Sequence, residues 1–169
     1  VLYVKLNPST QLQNASKAPT IGTAQLGQAA PEFSAATTSG PFDLAKTNKP
    51  VFLEVFATWC PHCQRETAVI DKLYGSYKSR VDFLGVPGSD TGMDGTSPES
   101  ELDVLTFQQK LNVQYPLAAY DSTLAIANMY LQGGFPTIAV IGTNKKVAYI
   151  NSGEIAYPEL AGALNKALK

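Results

Sequence analysis

The feature that most constrains this chain is a Cys-Pro-His-Cys tetrapeptide, residues 60–63, which follows directly on an apolar run. The run, 51–57, reads Val-Phe-Leu-Glu-Val-Phe-Ala, and its β-branched and aromatic residues are typical of a strand buried on both faces. Pro61 is favoured at the first position of a helix, because the N–H that proline lacks would have no partner there. Apolar residues then recur at helical spacing, namely Val69, Ile70, Leu73, Tyr74 and Tyr77. The pattern predicts a buried strand that leads through a cysteine into a helix over 61–78.

The rest of the chain alternates between strand and helix patterns. These are a strand over 81–86, a helix that Ser97, Pro98 and Glu99 open, a short helix from Asp121 and Ser122 to Tyr130, strands over 137–142 and 147–151, and a last helix that Pro158 opens. Leu102, Leu105 and Leu111 mark one face of the helix that follows Glu99. This order predicts an α/β fold in which a central mixed sheet carries helices on both faces.

The chain of 169 residues has the length of a single domain. Residues 1–28 are rich in Gln, Asn, Ser, Thr and Ala and lack sustained periodicity. We expect them to form a tether or an arm that lies on a domain formed by 29–169. Val1 to Leu6 fit either an added edge strand or the outer end of a membrane anchor that precedes this sequence.

Composition and hydropathy argue against nucleic-acid binding and against a membrane-spanning segment within this sequence. Charged residues make up 16% of the chain, and 13 lysines and arginines stand against 14 acids for a net charge of -1. A nucleic-acid-binding surface needs a basic stripe, and no basic run occurs, so nucleic acid is excluded as a partner. A membrane span needs about 18 or more consecutive apolar residues, and the sequence contains no such run.

The two cysteines point to redox chemistry. A disulfide between Cys60 and Cys63 closes a loop too short to stabilise a fold by much, because that effect grows with loop length. A structural zinc site needs four ligands, whereas the chain offers two thiols and His62, which lies between them and is poorly placed to bind the same ion. At the start of a helix, the free N–H groups and the dipole stabilise an anion. Cys60 is therefore the expected nucleophile, and Cys63, one turn deeper, is the expected resolving thiol.

Glu54 and His62 are candidates for assisting the thiols. Glu54 is the only charged residue in the buried run, on the same strand face as Phe52 and Phe56. Burial of an unpaired carboxylate raises its pKa, and a carboxyl group so placed can take up or return the proton of Cys63. The alternative is a glutamate that reaches water. His62, the only histidine, either stabilises a Cys60 thiolate as a neighbouring cation or has no role on the first helical turn.

Residues 56–63, Phe-Ala-Thr-Trp-Cys-Pro-His-Cys, resemble the active site of thioredoxin-fold oxidoreductases. The extracytoplasmic TlpA/ResA-like branch of redoxins is similar in Ala30-Pro31-Glu32-Phe33, in Glu66, and in Gly134-Phe135-Pro136-Thr137, so the resemblance covers about 29–168. It implies a thioredoxin-like three-layer sandwich. The tetrapeptide itself resembles that of the DsbA oxidants, whereas many TlpA-like proteins act as reductants, so the direction of electron flow stays open.

The resemblance also assigns roles to individual residues. It implies that Pro136 is a cis-proline that faces the disulfide and holds the substrate strand, and that Glu54 matches a buried aspartate of thioredoxins. Pro61 and His62 would tune the redox pair. Substrate would be bound by the residues around this site, namely Trp59, Gly134, Phe135 and Thr137. Phe135 departs from the threonine common in the branch and places an aromatic ring where substrate would approach.

The function implied is thiol–disulfide exchange on proteins of the periplasm or cell envelope, with the redox-active Cys60–Cys63 pair and no bound cofactor or metal. Partners would be folding or cytochrome-maturation substrates and a membrane protein that recharges the pair. We expect a monomer, tethered to the membrane if an anchor precedes this sequence.

Two alternatives remain. In a Cu(I) metallochaperone, Cys60 and Cys63 would serve as soft ligands, although such proteins in this fold usually have a longer cysteine spacing and a distant histidine. A peroxiredoxin would share the opening Ala-Pro-x-Phe motif. Its peroxidatic loop would need proline and threonine or serine where this chain has Leu53 and Ala57, which disfavours that class.

Overall fold

The computed structural model describes residues 22–169, so the first 21 residues of the expected arm lie outside the described part. Its elements, in chain order, are β1 Ser34–Thr37, β2 Gly40–Asp43, β3 Val51–Phe56, α1 Pro61–Tyr77, β4 Asp82–Pro87, α2 Glu101–Leu111, α3 Ala125–Tyr130, β5 Thr137–Ile141, β6 Val147–Ser152 and α4 Tyr157–Ala167. None of the helices between residues 22 and 169 combines the length and apolar character needed to cross a membrane.

The predicted central mixed sheet is confirmed. Its strand order is β4-β3-β5-β6; β3 pairs parallel with β4 and antiparallel with β5, and β5 pairs antiparallel with β6. All six residues of β3 are buried, as its unbroken apolar run predicts. The strands β1 and β2 form a separate antiparallel hairpin.

Both faces of the sheet are covered, which completes the predicted α/β sandwich. One core cluster joins β3 and β5 to three of the helices; its members include Phe52, Phe56 and Ile138 from the sheet, Ile70 and Leu73 from α1, Phe107 from α2 and Leu160 from α4. The second cluster lies on the opposite face and joins Leu53, Val55 and Ala139 to Tyr130 of α3. Glu54 belongs to the first face, because side chains alternate along a strand.

The start of α2 differs from the prediction. Ser97, Pro98 and Glu99 were expected to open this helix, but α2 begins at Glu101, and the hydroxyl of Ser100 accepts a hydrogen bond from the Asp103 N–H at its N-terminus. Ser97 instead donates its hydroxyl to Asp94 at 2.6 Å within the preceding loop. A serine caps a helix only where its hydroxyl reaches an N–H group of the first turn. In α2 that serine is Ser100 and not Ser97.

The buried face of α2 was also predicted wrongly. Leu102 and Leu105 are 72% and 45% exposed, whereas Val104 and Phe107 are fully buried. Val104, Phe107 and Leu111 follow the spacing i, i+3, i+7 that defines one helical face, and Phe107 stacks on Phe56 of β3 with ring centroids 4.7 Å apart. The aromatic ring, which buries the larger area, decides which face packs on the sheet.

The short helix α3 begins at Ala125, three residues after the predicted cap. The Asp121 carboxylate still contributes, because it accepts hydrogen bonds from the N–H groups of Thr123 and Ala125. The predicted hairpin of β5 and β6 and the last helix with Pro158 in its first turn are confirmed.

The described end of the expected arm, 22–28, lies against the domain. The Gly22 N–H donates to the Leu131 carbonyl at 2.6 Å, and the Gly27 N–H donates to the Val147 carbonyl at 2.8 Å. A Cβ at Gly22 would lie 2.2 Å from the carbonyl oxygen of Met129, so only glycine fits this approach. The division between arm and domain at 28/29 stays a prediction.

Candidate active site

Cys60 sits where β3 turns into α1. It precedes the first helical residue, with φ -79° and ψ 118°, and no side chain caps the helix there. Its N–H donates to the Ala57 carbonyl at 3.1 Å, and its thiol donates to the Phe135 carbonyl with sulfur and oxygen 3.8 Å apart. The sulfur thus lies at the helix N-terminus, beside the loop that precedes β5.

Cys63 lies one turn further along α1 and is fully buried, while Cys60 is 4% exposed. Both are free thiols in this structure. Burial raises the pKa of the Cys63 thiol, and the charge of Glu54 raises it further. The two thiols therefore differ in depth and in electrostatic surroundings, and Cys63 needs a base before it can react.

Glu54 is fully buried, as predicted from its place in the apolar run. Its Oε2 accepts a hydrogen bond from the Tyr115 hydroxyl at 2.8 Å, and its Oε1 has no partner among the described residues. Burial raises the pKa of this carboxyl to about 8, although the Tyr115 hydrogen bond lowers it in part. Near neutral pH both protonation states are therefore populated, which suits a group that exchanges a proton.

Glu66 is a second carboxyl group close to the redox pair. It is 2% exposed on α1, and its carboxylate accepts a hydrogen bond from the Ile155 N–H, with both oxygens 3.3 Å away. Burial raises the pKa of Glu66 to about 7, and the Ile155 hydrogen bond opposes that rise. The charge of Glu66 is also one of the influences that raise the pKa of Glu54.

The loop that precedes β5 and the first residue of that strand carry three of the residues predicted to bind substrate, namely Gly134, Phe135 and Thr137. The Phe135–Pro136 peptide bond is cis, as the resemblance implied for Pro136. Thr137 is buried, and its hydroxyl donates to the Gly134 carbonyl at 2.8 Å and accepts from the Gln132 N–H at 3.1 Å. Contact of these residues with substrate stays a prediction, and the hydroxyl of Thr137 is already used inside the loop.

Trp59 stands at the edge of this site and is 38% exposed. Its ring meets that of Phe135 edge to face, with centroids 6.2 Å apart, and its indole N–H donates to the Ser89 hydroxyl at 2.9 Å. The Trp59 and Phe135 rings thus contact each other, and the backbone carbonyl of Phe135 accepts the hydrogen bond of the Cys60 thiol.

The loop after β4 supports the residues before the tetrapeptide. The Thr58 hydroxyl donates to the buried Glu99 carboxylate at 2.6 Å, and the Thr58 carbonyl accepts from the Gln64 side chain at 3.0 Å. Burial raises the pKa of Glu99. Thr58 is thereby held from both sides, which fixes the turn that carries Cys60.

His62, in the first turn of α1, is part of a surface ion network. Its Nδ1 lies 3.0 Å from Glu154 Oε2 and 2.8 Å from an Arg65 terminal nitrogen. Arg65 also donates from Nε to Glu154 Oε1 at 2.6 Å. Pro61 occupies the first helical position, as predicted, and it is exposed.

Cys60 and Cys63 are the soft ligands that a Cu(I) ion would use. Within residues 22–169 no three His, Cys, Asp or Glu side chains lie close enough together to share a metal ion. The described site holds a pair of thiols, the buried carboxyl group of Glu54, and the two aromatic rings of Trp59 and Phe135.

A model of the Redoxin family matches residues 25–164. This range holds the whole sheet and the tetrapeptide. The chain belongs to the redoxin family.

Individual relatives agree with this assignment. The thiol-disulfide oxidoreductase ResA of Bacillus cereus is 29% identical over 145 residues, which are 84% of this redoxin and 78% of the relative. A protein of Chlorobium tepidum assigned as thiol:disulfide interchange protein DsbE superposes with a TM-score of 0.73 at 22% identity, over 86% of this chain and 99% of that one. A thioredoxin-family thiol:disulfide interchange protein of Chlorobium tepidum TLS gives a TM-score of 0.65 at 26% identity, over 84% and 97%. The redoxin is therefore a thioredoxin-fold thiol–disulfide oxidoreductase.

Sequence reasoning on the redoxin missed several residues of this site. Tyr115, the partner of Glu54, is 61 positions away from it, and Glu154 is 92 positions away from His62. No local pattern joins such pairs. Glu66 was noted for its place in the family motif, but its burial follows from its position on the inner face of α1 with Cys63 and Ile70, which the helical spacing already contained.

Proposed function

We propose that this redoxin exchanges disulfides with proteins outside the cytoplasm, and that Cys60 attacks while Cys63 resolves. The observation that carries the proposal is the unequal placement of the two thiols. Cys60 lies at a helix N-terminus and is 4% exposed, whereas Cys63 is fully buried one turn deeper, where the charge of Glu54, a carboxyl group of raised pKa, helps to raise the pKa of the Cys63 thiol.

In the reducing direction, the Cys60 thiolate attacks one sulfur of a substrate disulfide. A bond forms between Cys60 and that sulfur, the substrate S–S bond breaks, and the first substrate thiol leaves. The Cys63 thiol then gives its proton to the Glu54 carboxylate and attacks the Cys60 sulfur. The bond between Cys60 and the substrate sulfur breaks, and the second substrate sulfur leaves as a thiolate that takes up a proton from solvent. The substrate has then gained two electrons, and the Cys60–Cys63 disulfide has formed. The oxidising direction is the reverse, and protonated Glu54 then returns the proton to Cys63.

The aromatic edge and the cis-proline loop form the surface on which substrate would lie. The Phe135 carbonyl accepts the hydrogen bond of the Cys60 thiol, and the Phe135 ring meets the Trp59 ring edge to face. Pro136 follows directly in the chain. We infer that a substrate strand lies along 134–136 with its cysteine sulfur at Cys60. Phe135 would then favour substrates with an apolar residue next to their cysteine.

Compartment and partners belong to the same proposal. The likeness to ResA supports a role in the periplasm or cell envelope, with protein thiols such as those of cytochrome maturation as substrates. A membrane protein would recharge the pair, and the electrons would reside on the two sulfurs without a further cofactor. We propose that the chain acts as a monomer.

The test is the reduction potential of the Cys60–Cys63 pair, measured in glutathione buffers. A value of about -120 to -180 mV indicates an oxidant or isomerase, and one of about -250 mV or below indicates a reductant. The Cys63→Ser variant should trap mixed disulfides with substrates, while the matched Cys60→Ser variant should trap none. Stoichiometric Cu(I) binding that protects both thiols from alkylation, with no disulfide exchange, would replace this proposal with the metallochaperone.

A further inference from the structure

Glu154 brings an acidic side chain to the dipeptide between the cysteines. Arg65 binds it through two bonds, from Nε to Oε1 at 2.6 Å and from a terminal nitrogen to Oε2 at 3.1 Å. The same Oε2 lies 3.0 Å from Nδ1 of His62. The side chains of His62 and Arg65 on α1 and of Glu154 form one cluster beside the start of this helix, which we call the His62 network.

The backbone holds Glu154 in this place. Its neighbour Ile155 is 5% exposed, and the Ile155 N–H donates to the buried carboxylate of Glu66 on α1. The segment between β6 and α4 is thus fastened to the helix that carries the tetrapeptide. Glu154 does not depend on its exposed ion pairs alone for its position.

The network changes the charge around Cys60. His62 and Arg65 together carry one positive charge when the imidazole is neutral and two when it is protonated. The ionised Glu154 removes one positive charge in either case. It stays ionised over the working pH range, because the hydrogen bonds from Arg65 and then His62 lower its pKa to about 2.

Nδ1 of His62 is occupied in both protonation states. In the neutral ring with an unprotonated Nδ1, this nitrogen accepts the hydrogen bond of Arg65; in the imidazolium it donates to Glu154. The imidazole therefore keeps one hydrogen-bond partner at Nδ1 in each state, Arg65 when this nitrogen is unprotonated and Glu154 when the ring is charged. A histidine in the same tetrapeptide without such partners would act on the thiolate with its full charge.

We propose that Glu154 is a positioning residue that holds His62 and Arg65 and offsets their charge, so that the Cys60–Cys63 pair is less oxidising than its Cys-Pro-His-Cys sequence indicates. This inference rests on the proposed redox function. Positive charge near Cys60 stabilises the thiolate and therefore the reduced protein. When the reduced form is more stable, the disulfide form is a stronger oxidant. Glu154 works in the opposite direction.

The test is the equilibrium of Glu154→Gln with reduced and oxidised glutathione. Two unit charges about 4 Å apart change such an equilibrium by about fivefold in water, and the effect falls as the distance grows, so we expect a shift of about two- to fivefold toward the reduced protein. At about 30 mV per tenfold, that is a rise of about 10 to 20 mV in reduction potential. Glu159→Gln is the matched control, since it removes an equal charge from α4, where Glu159 binds Tyr149, and should leave the potential unchanged.

Two further variants separate positioning from a general effect on stability. Glu154→Asp keeps the negative charge, so its reduction potential should lie closer to that of the wild type than to that of Glu154→Gln. In the His62→Gln, Arg65→Gln background, Glu154→Gln should shift the potential by less than half of its effect in the wild type. The shift should also shrink in 1 M salt, because exposed charges are screened.

The outcomes distinguish this inference from the proposed function. If the wild type exchanges disulfides and Glu154→Gln leaves its potential unchanged, or Glu159→Gln shifts it equally, Glu154 has no such role. An undiminished shift in the double background would also overturn the inference. If the wild-type thiols form no disulfide in glutathione buffers at all, the proposed function itself fails.

Discussion

Glu54 should make the stability of this redoxin depend on pH, and Glu54→Gln should remove that dependence. Burial raises the pKa of the carboxyl from its ordinary value of 4.5 to about 8 in the folded protein. The folded state therefore binds a proton more tightly than the unfolded state does. The stabilisation is complete below about pH 4.5 and is lost progressively as the pH rises through about 8.

The magnitude follows from the size of the rise. At about 1.4 kcal/mol per pKa unit, the change from 4.5 to about 8 corresponds to about 5 kcal/mol. Glutamine does not titrate, and its amide oxygen can still accept the Tyr115 hydrogen bond. Its amide N–H₂ meets no partner at the Oε1 site, which costs about 1–3 kcal/mol at every pH. The variant should therefore be less stable than the wild type at pH 5 and more stable at pH 9.

Urea unfolding of the reduced protein between pH 5 and pH 9, followed by circular dichroism, measures this difference. The exposed Glu32→Gln variant serves as the control and should run parallel to the wild type. A difference between Glu54→Gln and wild type that stays constant within about 1 kcal/mol across this range would refute the reasoning. It would mean that Glu54 is ionised in the folded protein and unable to exchange a proton with Cys63 in the way proposed.

Further predictions concern the same carboxyl group and the packing of α2. Glu54→Gln should slow resolution of a mixed disulfide at pH 7 in stopped-flow assays, and an unchanged rate would remove Glu54 from the mechanism. Tyr115→Phe removes the donor to Glu54 and should cost about 1–3 kcal/mol at pH 9 but less at pH 5, where the carboxyl is protonated; equal costs would contradict this. Phe107→Ala should destabilise by about 3–5 kcal/mol and Leu102→Ala by less than about 0.5 kcal/mol in urea unfolding, and the reverse order would show that the exposed face of α2 is buried.

Sequence patterns predicted the elements that are buried on both faces or that have a single apolar face. The run 51–57 is apolar on both faces because β3 is the inner strand between β4 and β5, and the helix after Pro61 carries one clear apolar face. The inner face of α2 was missed because leucines lie on both of its sides. Only packing against Phe56 shows that Phe107 takes the inner position.

The chemistry of the site was predictable as far as it is local in sequence. Cys60, Cys63 and the buried Glu54 lie within ten residues of one another, so spacing and hydropathy were sufficient. Tyr115 lies between α2 and α3, and Glu154 lies between β6 and α4. Their contacts with Glu54 and His62 depend on the path of these two connecting segments in the folded protein. Physical rules for single elements do not determine those paths.

The contribution of residues distant in sequence bears on the direction of electron flow. The tetrapeptide alone predicts an oxidant, because a positive charge on His62 would stabilise a Cys60 thiolate and so favour the reduced protein. The potential, however, depends on the net charge around that sulfur, and Glu154 contributes to it from 92 positions beyond His62. Two redoxins with the same Cys-Pro-His-Cys sequence should therefore differ in potential when one has Glu154 and the other a neutral residue in its place. The variant without the acid should be the stronger oxidant.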